Sequence, residues 1–160
     1  MISILRFHIN FAYKMKIVLA THNQDKCAEM KAILGHIDLE LVTLSEFPEI
    51  GEIIEDGNTL IENALIKART VYNITKLPSI ADDTGLEVDA LNGAPGIYSA
   101  RFAGENCSYS DNVNKLLKKM EKTPKNKRSA RFCTAIAYID DKLELTTEGF
   151  VKGIITNVMK

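Results

Sequence analysis

Glycine-rich phosphate loops, paired cysteines, long apolar runs and an excess of positive charge are all missing from this 160-residue sequence. Each absence excludes something. The cysteines Cys27, Cys107 and Cys133 are odd in number and widely spaced, so they spell neither a disulfide framework nor a zinc or redox motif. They read as reduced thiols of a cytoplasmic protein. No apolar run is long enough to span a membrane. Twenty Lys and Arg against 21 Asp and Glu leave a formal net charge of −1, which excludes the broad basic field of a nucleic-acid-binding protein. The lysines between Lys115 and Arg131 are a local exception, read as a solvated helix end and loop. Internal repeats and low-complexity segments are absent as well. Residues 1–14 lack the apolar core and small-residue cleavage site of a signal peptide. They are expected to be an extension ahead of Met15, with residues 15–160 forming a single domain.

What is present is ordinary globular composition, 46% hydrophobic and 26% charged, in a chain long enough to bury a core without staples. The pattern predicts strands over 16–20, 39–43, 131–139 and 143–151, the last two as a hairpin turned by Asp140-Asp141-Lys142. It predicts helices over 27–37, with Ala28, Ile33, Leu34 and Ile37 on one face, over 59–75 and over 110–120. Thr59 and Glu62 have capping-box spacing at the start of the second helix. Helices alternating with strands early and a hairpin late predict an α/β fold, a mixed β-sheet with flanking helices.

The chain is organised around the stretch from Ser79 to Val88. An apolar strand begins at Ser79 and is expected to end at two adjacent carboxylates, Asp82 and Asp83, followed by Thr84 and Gly85. Two carboxylates beside an apolar strand need a cation or a hydrogen-bond cluster. Neighbouring strand residues point to opposite faces, so only one Asp can face a given site. Turn or cap aspartates are the plainer reading of the pair alone. Thr21-His22-Asn23-Gln24-Asp25-Lys26 links a strand to a helix N-terminus, whose unpaired amides and positive dipole end suit an anion, with Lys26 adding a full charge. Helix capping by Asn23 or Asp25 is the alternative. The irregular segment 45–58 carries Glu46, Glu49, Glu52, Glu55 and Asp56, oxygen ligands for a hard cation or simply a solvated acidic loop. Lys67 sits among the apolar positions of its helix, snorkelling or aimed at a polyphosphate. Arg101 is a further anion partner by chemistry.

Taken together, Thr-x-Asn-x-x-Lys after the first strand, Ile-Glu-Asn-Ala-x-x-Lys-Ala from Ile61, Ala-Asp-Asp-Thr-Gly-Leu from Ala81 and Gly-Ala-Pro-Gly-Ile-Tyr-Ser-Ala-Arg-Phe-Ala-Gly from Gly93 resemble the Ham1/inosine triphosphatase family. The resemblance implies the Maf/Ham1-type architecture. It also implies hydrolysis of inosine- and xanthosine-type purine nucleoside triphosphates (ITP, dITP, XTP) to monophosphate and pyrophosphate, with Mg2+ as cofactor. Position by position it implies a triphosphate loop at Thr21, His22, Asn23, Gln24, Asp25 and Lys26, and a phosphate lysine at Lys67. Metal ligation falls to Glu55 and Asp83, and the general base to Asp83 with Asp82 supporting. Thr84 becomes a substrate contact, and the partner by analogy is a second copy in a homodimer. The family continues with a Gly-Gly-Phe-Gly-Tyr-Asp-Pro-like segment, a lysine and a late His-Arg pair, none of which follows here. The expectation is therefore a domain incomplete at its C-terminus. The alternative is a truncated, inactive or partner-binding relative that retains only the triphosphate and metal half of the site.

Overall fold

The computed structural model describes residues 14–158. The expected extension over 1–14 lies outside the described residues except for Lys14, whose ammonium pairs with Asp38 at 2.8 Å. Strand β1 (Met15–Leu19) leads into helix α1 (Gln24–Leu34) and strand β2 (Leu39–Thr43). Helix α2 (Leu60–Thr75), strand β3 (Ser79–Val88) and the short β4 (Pro95–Gly96) follow, then helix α3 (Tyr109–Lys119) and the hairpin β5 (Ser129–Ile139) and β6 (Glu144–Ile154). The sheet runs β2-β1-β3-β5-β6, with β4 attached to β3. β1 pairs in parallel with β2 and β3, whereas β5 is antiparallel to both β3 and β6. This is the mixed sheet with flanking helices that the pattern predicts.

α2 is built as expected. Thr59 is the N-cap, its Oγ1 accepting from the Glu62 amide at 3.1 Å. The Glu62 carboxylate closes the box one residue further out, on the Asn58 amide. Its inner stripe, Leu60, Ala64, Ala68 and Val71, packs on Ala81, Ala135, Ala137 and Ile139 of the sheet. Alanine against alanine lets the helix lie close to the strands, so polar side chains on the same stripe reach the sheet. Ser79 does so in reverse, its Oγ donating to the Ala68 carbonyl at 2.7 Å. A Thr59→Ala variant is expected to lose about 1 kcal/mol of stability, read from the urea midpoint.

Three expectations need correction. β3 does not end at Asp82 and Asp83 but runs on to Val88, because β5 pairs with it residue for residue from Ser79 to Val88. α1 does not bury the apolar face expected of it: Cys27 is its one buried residue, Ala28 is exposed and Ile33 is 67% exposed. β6 extends past residue 151 to Ile154, and all its residues are exposed. A buried arginine fastens that end. Arg128 donates to the Met120 carbonyl at the end of α3 and to the Ile155 and Thr156 carbonyls beyond β6, at 2.8, 2.8 and 3.0 Å. Val88, Leu116, Met120 and Ala130 form a second buried cluster, with Ile155 packed against it.

Candidate active site

The connections create an opening in the sheet. α1 carries the chain from β1 to β2 on one side, and α2 carries it from β2 to β3 on the other. Such a reversal leaves a crevice at the carboxyl ends of the two diverging strands. β1 ends opposite Ile80, where the Ala20 amide donates to the Ile80 carbonyl at 2.8 Å. β4 rejoins β3 only at Leu86 and Glu87. Among the described residues, β3 from Ala81 to Gly85 therefore has no strand on that edge, and the aspartate pair sits in the gap.

Strand alternation sends the two carboxylates to opposite faces. Asp83 faces α2. Its Oδ2 accepts from Asn63 Nδ2 at 3.1 Å, its Oδ1 accepts from the Thr84 amide at 3.0 Å, and Lys67 Nζ stands 3.6 Å from Oδ1. The same ammonium is 3.2 Å from Glu55 Oε1, so two acids from distant parts of the chain converge on one cation. Lys67 is only 7% exposed, not a surface lysine. Asp82 faces α1 instead. Its Oδ2 lies 2.6 Å from Lys26 Nζ, while its buried Oδ1 has no hydrogen-bond partner. Thr84 Oγ1 lies 3.4 Å from that Oδ2 and 3.0 Å from Thr134 Oγ1.

The loop between β1 and α1 borders the gap. Asn23 is the N-cap, its Oδ1 accepting from the Asp25 and Lys26 amides at 2.9 and 3.3 Å, and Thr21 Oγ1 accepts from the Asn23 amide at 3.2 Å. His22 Nε2 donates to the Gly51 carbonyl at 3.2 Å, tying this loop to the acidic one. Gln24 and Asp25 are exposed on the first turn of α1. Arg101 is not joined to the centre, its guanidinium lying 5.3 Å from the centroid of the Tyr98 ring. Two cavities flank the loop. One of about 730 Å³ is lined by Asn23, Thr84, Leu86, Leu116, Phe132 and Ile155. The other, of about 700 Å³, is lined by Thr21, His22, Ile50, Glu55 and Lys67.

Glu55, Asp83 and Lys67 together carry a formal charge of −1, so a further positive charge there is electrostatically favourable. Among the described residues no three of His, Cys, Asp and Glu converge into a closed metal cage. Two carboxylates do converge, and that donor set suits a hard divalent ion that keeps waters and takes its other ligands from a phosphate. Sequence reasoning missed Asn63 and Thr134. Asn63 lies four residues before Lys67, hence on the same helical face, and a polar residue on an apolar stripe was a usable signal. Thr134 had none, because its place opposite Thr84 is set by pairing register.

Fold and site define an α/β protein with a switch-point crevice, flanked on its two faces by lysine–carboxylate pairs from separate elements. The chain belongs to the Ham1 family, whose model matches residues 17–160. It is 52% identical over 143 residues to a dITP/XTP pyrophosphatase of Vibrio cholerae, a match covering 88% of this chain and 71% of that one. It is 49% identical over 142 residues to a dITP/XTP pyrophosphatase of Listeria monocytogenes, covering 88% and 70%. Among solved structures, a HAM1 protein from Coxiella burnetii superposes with a TM-score of 0.83 at 38% identity, covering 91% of this chain and 75% of that one. A nucleoside-triphosphatase/dITP/XTP pyrophosphatase from Mycobacterium abscessus superposes with a TM-score of 0.78 at 40% identity, covering 90% and 76%.

Proposed function

We propose that this chain hydrolyses inosine- and xanthosine-type purine nucleoside triphosphates to the monophosphate and pyrophosphate, with Mg2+ as cofactor. The observation that carries this reading is the convergence of Glu55 Oε1 and Asp83 Oδ1 on one ammonium, at 3.2 and 3.6 Å, inside the switch-point crevice. Kinship with dITP/XTP pyrophosphatases supports the substrate class.

Each residue then has a task. Lys67 and Lys26, on either side of the sheet, supply positive charge to a triphosphate bound across the gap, where aimed charges outweigh those in water. Asn23 and the Thr21 hydroxyl shape the loop between them. Glu55 and Asp83 would hold the magnesium ion, which supplies polarisation of a phosphoryl oxygen and a lowered pKa for bound water. Asp83 takes the proton from the attacking water as the general base, and Asp82 supports Lys26. Thr84 contacts the nucleotide where the apolar cavity begins, and that cavity is the volume left for the purine. Three unpaired cysteines support a reducing, cytoplasmic compartment. A homodimer rests on family analogy.

The test is product analysis. With dITP and Mg2+, phosphorus NMR is expected to show dIMP and pyrophosphate in equal amounts, and chelation by EDTA is expected to stop both. Accumulation of dIDP and orthophosphate would overturn the reading.

A further inference from the structure

Lys67 pairs with both carboxylates, and a second buried side chain, Asn63, reaches the loop that carries one and the strand that carries the other. We propose that Asn63 is a positioning residue that sets both the orientation of Asp83 and the distance of Glu55 from it. This inference rests on the reading that these two acids share a divalent cation.

Asn63 is 1% exposed, so its amide cannot turn to water for partners. It has two partners, from opposite sides. Its Oδ1 accepts from the Gly57 amide at 2.9 Å, and its Nδ2 donates to Asp83 Oδ2 at 3.1 Å. The orientation is forced by chemistry: a backbone N–H can only donate and a carboxylate only accept, so the flipped amide would face donor to donor and acceptor to acceptor. One planar group therefore joins the acidic loop, two residues past Glu55, to the carboxylate on β3.

Two consequences follow. Asp83 Oδ2 is occupied by Asn63, which, together with the Thr84 amide on Oδ1, fixes the carboxylate with Oδ1 turned toward Lys67. The loop is also drawn hard onto the helix. A Cβ added at Gly57 would stand 2.7 Å from Asn63 Oδ1 and 2.7 Å from Glu62 Cβ, so no side chain fits there without moving the loop. Outer partners of this kind typically change metal affinity or activity by about 10- to 100-fold when removed.

The experiment titrates Mn2+ alone into the nucleotide-free chain by calorimetry, beside kcat and KM for dITP at saturating Mg2+. Asn63→Ala is expected to weaken Mn2+ binding by about tenfold or more and to lower kcat by a similar factor, with KM little changed. Gly57→Ala reaches the same contact from the loop and is expected to weaken Mn2+ binding in the same direction. It carries the test if Asn63→Ala does not fold. Asn63→Asp keeps the acceptor for Gly57 but loses the N–H donor to Asp83, and is expected to match Asn63→Ala in kcat. Wild-type Mn2+ affinity and kcat in both Asn63→Ala and Gly57→Ala, with only the melting temperature lowered, would overturn the proposal and leave Asn63 as packing. If the wild-type chain released no pyrophosphate from dITP, the substrate reading would fall, but the Mn2+ affinities would still decide the role of Asn63.

Discussion

Asp83→Asn is expected to lower kcat for dITP by about 10³-fold, within the 10²- to 10⁴-fold that a general base contributes. Asparagine keeps the shape but cannot take the proton from water, and it removes one of the two charged oxygen donors from the centre. The fold should survive. Lys67 retains Glu55 at 3.2 Å, and β3 stays paired with β5 along its whole length. Pyrophosphate release, with a melting curve as control, measures the effect. A variant within tenfold of wild type would remove Asp83 from its role.

Lys26→Met is expected to act first on stability. Lys26 Nζ is the charged partner of Asp82, 2.6 Å from its Oδ2, and Asp82 is 6% exposed with its other oxygen unpartnered. Removing the ammonium leaves a buried carboxylate with only the Thr84 hydroxyl nearby, at 3.4 Å. The Lys26 side chain is itself 29% exposed, so breaking this half-buried pair costs about 2 kcal/mol, between the exposed and the fully buried case. That corresponds to a fall of about 6 °C in Tm for a chain of this size. The double variant Lys26→Met/Asp82→Asn removes the stranded charge and is expected to recover more than half of the loss. No recovery would show that Lys26 contributes through packing, not charge. In ligand binding, the proposed function expects the same single variant to weaken tripolyphosphate more than dIMP, since it assigns the ammonium to the outer phosphates. Equal weakening of both would argue against a polyphosphate cradle at Lys26.

Local rules made much of the fold legible. The cap at Thr59, the apolar stripe of α2 and the hairpin at Asp140 all depend on residues a few positions apart, as do their physical causes. The opposite facing of Asp82 and Asp83 was equally readable, since strand alternation is a property of one strand. What escaped was set by long-range pairing. β3 continues past its carboxylates because β5 lies beside it, and nothing within residues 79–88 announces that partner. The α1 sequence reads as amphipathic, yet among the described residues nothing covers Ile33, and the helix is held by its cap, by Cys27 and by the Lys26–Asp82 pair. The join of the two loops through His22 and Gly51, 29 residues apart, likewise has no local signature.

The proposed function requires Glu55 and Asp83 to share one divalent ion within the crevice. Anomalous diffraction from crystals grown with Mn2+ and a non-hydrolysable dITP analogue tests it most directly. A manganese peak bonded to Glu55 Oε1 and Asp83 Oδ1 and to phosphate oxygens of the analogue is expected. A manganese ion held by phosphates alone, or seated on the Asp82 face with Glu55 turned away, would contradict it.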